Sequence, residues 1–228
     1  MSIYNEIIEK LKGVSSSSYK EFSQKIANSK KPMLGVRIPV LRELAKEVLL
    51  SDYNSFLSDC KFEFFEDTLI YGLVIAGLEY DEFLNFLANY LNNVDSWSHI
   101  DSFVPSIKCL NSKKREFFEI VKKEILKASE FHLRFFIVVL MDYYLDEEHL
   151  DFIFSTVEKC DGKGYYNDMA LAWLISVAYV KFKDKTFEFI KRCKLSNFTL
   201  NKSISKIKDS FRVSRENKIL LQNYIRKN

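Results

Sequence analysis

Trp97 and Asp101 stand four residues apart in the run Val94-Asp95-Ser96-Trp97-Ser98-His99-Ile100-Asp101-Ser102-Phe103. On a helix this spacing puts an aromatic plane and a carboxylate on one face, one turn apart. Two later apolar runs each hold one odd residue: Arg134 ahead of Phe135-Phe136-Ile137-Val138-Val139-Leu140-Met141, and Trp173 inside Ala170-Leu171-Ala172-Trp173-Leu174-Ile175. Stacking such helices side by side brings together a fixed negative charge, a guanidinium and two indole faces. A charge on a helix sandwiched between others is costly unless it is paired or reaches an open groove, so Asp101 and Arg134 point to a groove.

The elements that must position these residues read as helices. Only six Gly and three Pro punctuate 228 residues, while Leu, Ile, Phe, Lys and Glu abound, which predicts an all-α chain with short turns. Apolar helical stretches begin near Phe64, Trp97, Phe131, Tyr165 and Asn201, and amphipathic ones cover 80–91, 113–127, 147–159 and 185–193 between them. This is the rhythm of stacked helix pairs repeating every ~33 to 47 residues. One helix of each pair is apolar nearly all round, and its partner keeps one polar face. The expectation is a right-handed solenoid with a concave binding groove, built by a single domain over 1–228. Ser15-Ser16-Ser17-Ser18 predicts a break that caps a helix starting near Tyr19, and Pro39 predicts the first turn of the next one. Asp161-Gly162-Lys163-Gly164 reads as a turn and lacks the pattern of a phosphate-binding loop.

Charge is unevenly spread. From Lys181 to the C-terminus there are fourteen Lys and Arg against four Asp and Glu, in a chain whose net charge is +3. A basic end facing an anionic partner is one reading, and a solvated lysine-rich surface is the other. Cys60, Cys109, Cys160 and Cys193 form no C-x-x-C pair, and His99, His132 and His149 are not at metal-ligand spacing with them. Neither a metal nor an organic cofactor is expected. The N-terminus lacks a secretory pattern and no apolar run reaches membrane-spanning length, so the expected location is cytoplasmic.

The order Trp97-x-x-x-Asp101, then Arg134, then Trp173 resembles the AlkD family of DNA glycosylases, HEAT-like-repeat proteins that remove positively charged alkylated purines. The resemblance runs from Leu34-Gly35-Val36-Arg37-Ile38-Pro39-Val40-Leu41-Arg42 to Asn201-Lys202-Ser203-Ile204-Ser205-Lys206-Ile207-Lys208-Asp209-Ser210-Phe211-Arg212-Val213, nearly the whole chain. It implies hydrolysis of the N-glycosidic bond of N3- or N7-alkylated purines in double-stranded DNA. A purine alkylated there is already cationic and leaves without a general acid. Asp101 would stabilise the oxocarbenium-like sugar and hold water, Trp97 and Trp173 would cradle the deoxyribose, and Arg134 would grip a flanking phosphate. Arg37, Lys202, Lys206, Lys208 and Arg212 are the expected contacts to the DNA backbone. Spacing along a helix sets Lys202 and Lys206 on one face, with Lys208 and Arg212 on the next. Departures from the family pattern fall at Lys25-Ile26-Ala27-Asn28-Ser29-Lys30-Lys31-Pro32, where Pro32 is expected to truncate the helix, and at Met169.

Each residue also has a plain structural reading. Trp173 suits a core, and Asp101 suits a helix cap or an ion pair with Arg134. Asp95 or Ser96 suits the N-cap of the Trp97 helix, His99 and His132 read as ordinary polar side chains, and Tyr165 and Tyr166 suit either packing or a DNA contact. The alternative function is a non-catalytic HEAT-like module that binds damaged or structured DNA, or a protein partner.

Overall fold

The computed structural model describes residues 2–227, and among them there are helices and no strands. The chain divides into two compact units, one up to Phe117 and the other from Phe118. The first holds α1 (Ile3–Gly13), α2 (Ser17–Ala27), α3 (Ile38–Leu50), α4 (Tyr53–Asp59), α5 (Phe65–Ile75), α6 (Tyr80–Asn93) and α7 (Trp97–Phe103). The division falls inside α8 (Lys114–Glu124). The second holds α9 (Glu130–Tyr143), α10 (Leu150–Cys160), α11 (Tyr165–Lys181), α12 (Lys183–Arg192), α13 (Asn197–Asp209) and α14 (Arg215–Gln222).

In the first unit α5 is the core helix, buried along its whole length and packed by α3, α6 and α7. Its first turn carries two acids, where the helix dipole favours negative charge. The Asp67 carboxyl accepts hydrogen bonds from the Glu63 and Phe64 amides, at 2.9 and 3.2 Å, and from the Tyr4 hydroxyl at 2.9 Å. Glu66, 2% exposed, accepts from the amides of Leu34, Gly35 and Val36 at 3.0, 2.7 and 3.2 Å. That turn requires glycine: Gly35 has φ of +90°, and a Cβ there would clash with the Ser16 carbonyl and the Lys20 backbone. Pro39 does open α3, as its fixed φ suits a first turn.

Ser16 caps α2 by accepting from the Tyr19 amide at 3.4 Å. The helix ends at Ala27 because Asn28 takes the left-handed conformation, φ 48°, so Pro32 is not what stops it. Among its residues only Ala27 is buried, and Phe22 and Ile26 are exposed.

In the second unit α9 buries nine successive residues from Leu133 to Met141, and α11 packs between α9 and α13. Each large apolar side chain enclosed this way contributes about 1.5–3 kcal/mol. Gly164, φ +137°, turns the chain into α11 against Glu130, whose Oε1 accepts from the Tyr166 amide at 3.2 Å. The last apolar helix starts at Asn197, four residues before the expected Asn201. Ser196 caps it there, accepting from the Thr199 amide at 3.2 Å, and Asp161 accepts from the Ser196 hydroxyl at 3.0 Å. No helix among the described residues is long and apolar enough to cross a membrane.

Candidate functional site

The helix that carries Trp97 and Asp101 is shorter than its apolar run suggests. It has seven residues and gives way to a 3-10 turn at Val104–Ser106, where Pro105 cannot donate the next helical hydrogen bond. Such a short helix has little stability of its own. It is held at both ends.

At its start, Ser96 is the N-cap: its Oγ accepts from the Ser98 amide at 3.2 Å and donates to the Ala27 carbonyl at 2.6 Å. The Trp97 indole Nε1 donates to the Ile26 carbonyl at 3.1 Å. These two carbonyls belong to the last turn of α2, which has no helical partners for them. Asp95 has a different task. It accepts from the Ser29 hydroxyl at 2.8 Å and from the Lys30 and Lys31 amides at 2.7 and 3.2 Å, fixing the turn that follows α2. At the other end Arg42 of α3 donates to the Ser106 hydroxyl at 2.7 Å and the Ser102 carbonyl at 3.3 Å. A cation at a helix C-terminus is electrostatically favoured. Trp97 and Asp101 are both half-buried, on the shared face that their spacing predicts. Trp97 also lines a cleft of about 150 Å³ with Tyr19, Phe22, Val36, Ile38 and Phe65.

His99 is no ordinary polar side chain. It is fully buried between the two site residues, stacked on Phe65 at 4.3 Å, with Nε2 at 3.1 Å from the Phe65 carbonyl and Nδ1 at 3.6 Å from Asp95. Burial pushes its pKa down to about 4, against the opposing pull of Asp95, so the ring is neutral at neutral pH. The Tyr90 hydroxyl donates to the His99 carbonyl at 3.0 Å, and the Tyr90 ring lies so close to Gly72 of α5 that a Cβ there has no room.

In the second unit Arg134, 5% exposed, donates from Nη1 to the Tyr166 carbonyl at 2.6 Å, tying α9 to the first turn of α11. Trp173 lies seven residues further along α11 and is half-buried, so it is not enclosed as a core residue. Tyr166 stacks on Phe131 at 5.7 Å, while Tyr165 is 57% exposed and meets Phe198 at 5.9 Å.

Of the basic residues, Arg37 is exposed at the N-cap of α3, over the Tyr19 ring at 5.5 Å. Lys202 is exposed on α13 over Phe198, and Lys206 and Lys208 are half-buried on the same helix. Arg212 corrects the helical reading: α13 ends at Asp209, so this exposed side chain stands on the turn beyond it.

No group of three His, Cys, Asp or Glu among the described residues is arranged to hold a metal ion. The four thiols are unpaired, and burial pushes that of Cys60 up to about 12, far from a reactive thiolate. What α7 offers is a carboxylate one helical turn from an indole that is tied to the Ile26 carbonyl.

The model of one protein family, described as DNA alkylation repair enzyme, matches residues 7–207. Among curated proteins none matches the chain.

Proposed function

Because the chain belongs to the DNA alkylation repair enzyme family, we propose that it hydrolyses the N-glycosidic bond of cationic N3- or N7-alkylated purines in double-stranded DNA. The observation that carries this reading is the Trp97–Asp101 pair on a helix pinned at both ends. In the proposed reaction the C1′–N bond breaks and its electron pair neutralises the alkylated ring. Asp101 stabilises the positive sugar that remains and orients water. The water oxygen bonds to C1′ and its proton passes to solvent.

The Trp97 and Trp173 indoles flank the deoxyribose in this scheme, each adding a π-face attraction of roughly 0.5–2 kcal/mol for the developing cation. Arg134 grips a phosphate beside the lesion with its fork oriented by the Tyr166 carbonyl, while Arg37, Lys202, Lys206, Lys208 and Arg212 hold the backbone. The proposal includes the architecture: helix pairs stacked as HEAT-like repeats, with Trp97, Asp101, Arg134 and Trp173 on the inner helices.

Release of methylated base from N7- or N3-methylated duplexes tests the reaction. With saturating protein, Asp101→Asn is expected to slow release by about 10²- to 10³-fold while leaving duplex affinity near that of the wild type. Equal rates for wild type, variant and protein-free DNA would overturn it in favour of a non-catalytic DNA- or protein-binding module.

A further inference from the structure

Phe211 is the most exposed large apolar side chain among the described residues, at 103% relative exposure. It sits on the turn between α13 and α14, with Arg212 beside it and Lys208 and Arg215 within four residues. The turn is well anchored. Ser210 donates its amide to the Ile207 carbonyl at 3.2 Å, Arg212 donates its amide to the Ser210 hydroxyl at 3.2 Å, and Ile207 and Val213 are buried on either side. Beyond it Ser214 caps α14, accepting from the Asn217 amide at 3.3 Å.

A phenyl ring is thus held out in water in a strongly basic segment: Lys202, Lys206, Lys208, Arg212, Arg215 and Lys218 face only Asp209 and Glu216 over the same stretch. Cations precede and follow the ring along the chain, at Lys208, Arg212 and Arg215. The fitting partner carries negative charges with flat apolar groups between them, as the phosphates and bases of a nucleic acid do.

We propose that this turn is a DNA contact in which Phe211 packs its ring against a nucleobase while the neighbouring cations hold the flanking phosphates. It rests on the reading of the chain as a duplex-DNA enzyme, and adds a residue that senses base stacking rather than charge. Side chains that press an aromatic or aliphatic group against a base step favour sites whose stacking is already weakened, such as those beside a lesion.

The test is anisotropy of a fluorescently labelled methylated duplex across a salt series. Phe211→Ala is expected to weaken binding about ten-fold with the salt slope unchanged, because no phosphate contact is lost. Arg212→Ala should lower the slope by about 0.9. Phe211→Trp should keep the affinity and add an indole emission that duplex quenches. Phe211 and Arg212 are both exposed, and the Arg212 amide keeps its bond to Ser210 in Arg212→Ala, so circular dichroism and the melting midpoint should match the wild type in all three. If the wild type binds and excises while Phe211→Ala binds equally well, the ring is not at the interface and only this proposal falls. Loss of self-association in Phe211→Ala, with DNA affinity intact, would overturn it by assigning the ring to a second copy of the chain. A wild type that does not bind the duplex overturns both readings.

Discussion

The two units surround their candidate residues differently. Around α7 the first unit is threaded with buried or half-buried polar groups: Glu66, Asp67, Thr68, Asp95, Ser96 and His99, most of them holding backbone from a distant part of the chain. Around α9 the second unit relies on nine successive buried residues in which Arg134 is the one charge. Hydrogen bonds have direction and fail one by one; apolar packing is non-directional and scales with volume. A short helix beside irregular turns needs the first kind of support, and a fourteen-residue helix such as α9 can use the second.

This contrast can be broken by experiment, and the largest effect belongs to packing. Phe135→Ala, at a fully buried position on α9, should cost about 3–5 kcal/mol in denaturant unfolding, with little dependence on pH. A marked pH dependence would mean that the second unit also rests on titrating groups. Glu66→Ala should come next, because three amides lose their acceptor together, for about 3 kcal/mol or more. A loss below about 1 kcal/mol would show that water reaches that turn.

Acid should weaken the first unit selectively. His99 is held neutral down to about pH 4, whereas an unfolded histidine takes up a proton near 6.5. Its contribution is therefore complete above pH 6.5 and is lost as the pH falls toward about 4, for about 3 kcal/mol in all. Asp95 and Lys31 are the charges that act on it, and Asp67, whose pKa burial pushes up, works in the opposite sense at low pH. Comparing wild type with His99→Leu at each pH isolates the histidine. Parallel curves would show that it titrates normally.

The smallest effect is the most local. Asp95→Ala should lower stability by about 1–2 kcal/mol and loosen the turn after α2, freeing the Trp97 indole from the Ile26 carbonyl. Since the chain has only two tryptophans, emission in a Trp173→Phe background reports Trp97 alone and should shift to the red. An unchanged spectrum would separate the turn from the indole.

Much of this was legible along the chain because helix signals are local. The all-α class, the cap of α2 at Ser16, the start of α3 at Pro39 and the glycine turn before α11 follow from spacing and residue type over a few neighbours. So does the shared face of Trp97 and Asp101, fixed by helical pitch once α7 exists. Tertiary structure decided the rest. Nothing near Asp95 signals that it serves residues 29 to 31 rather than its own helix, and nothing near Glu66 signals the amides of 34 to 36. Arg42 at the end of α7 and the burial of His99 left no pattern either. Those partners lie some thirty to seventy residues apart, where periodicity carries no information, and a polar side chain takes whichever unsatisfied backbone group folding brings within 3 Å. The helices are written in the sequence; how the short helix under Trp97 and Asp101 is held still was settled only when distant backbone needed a partner.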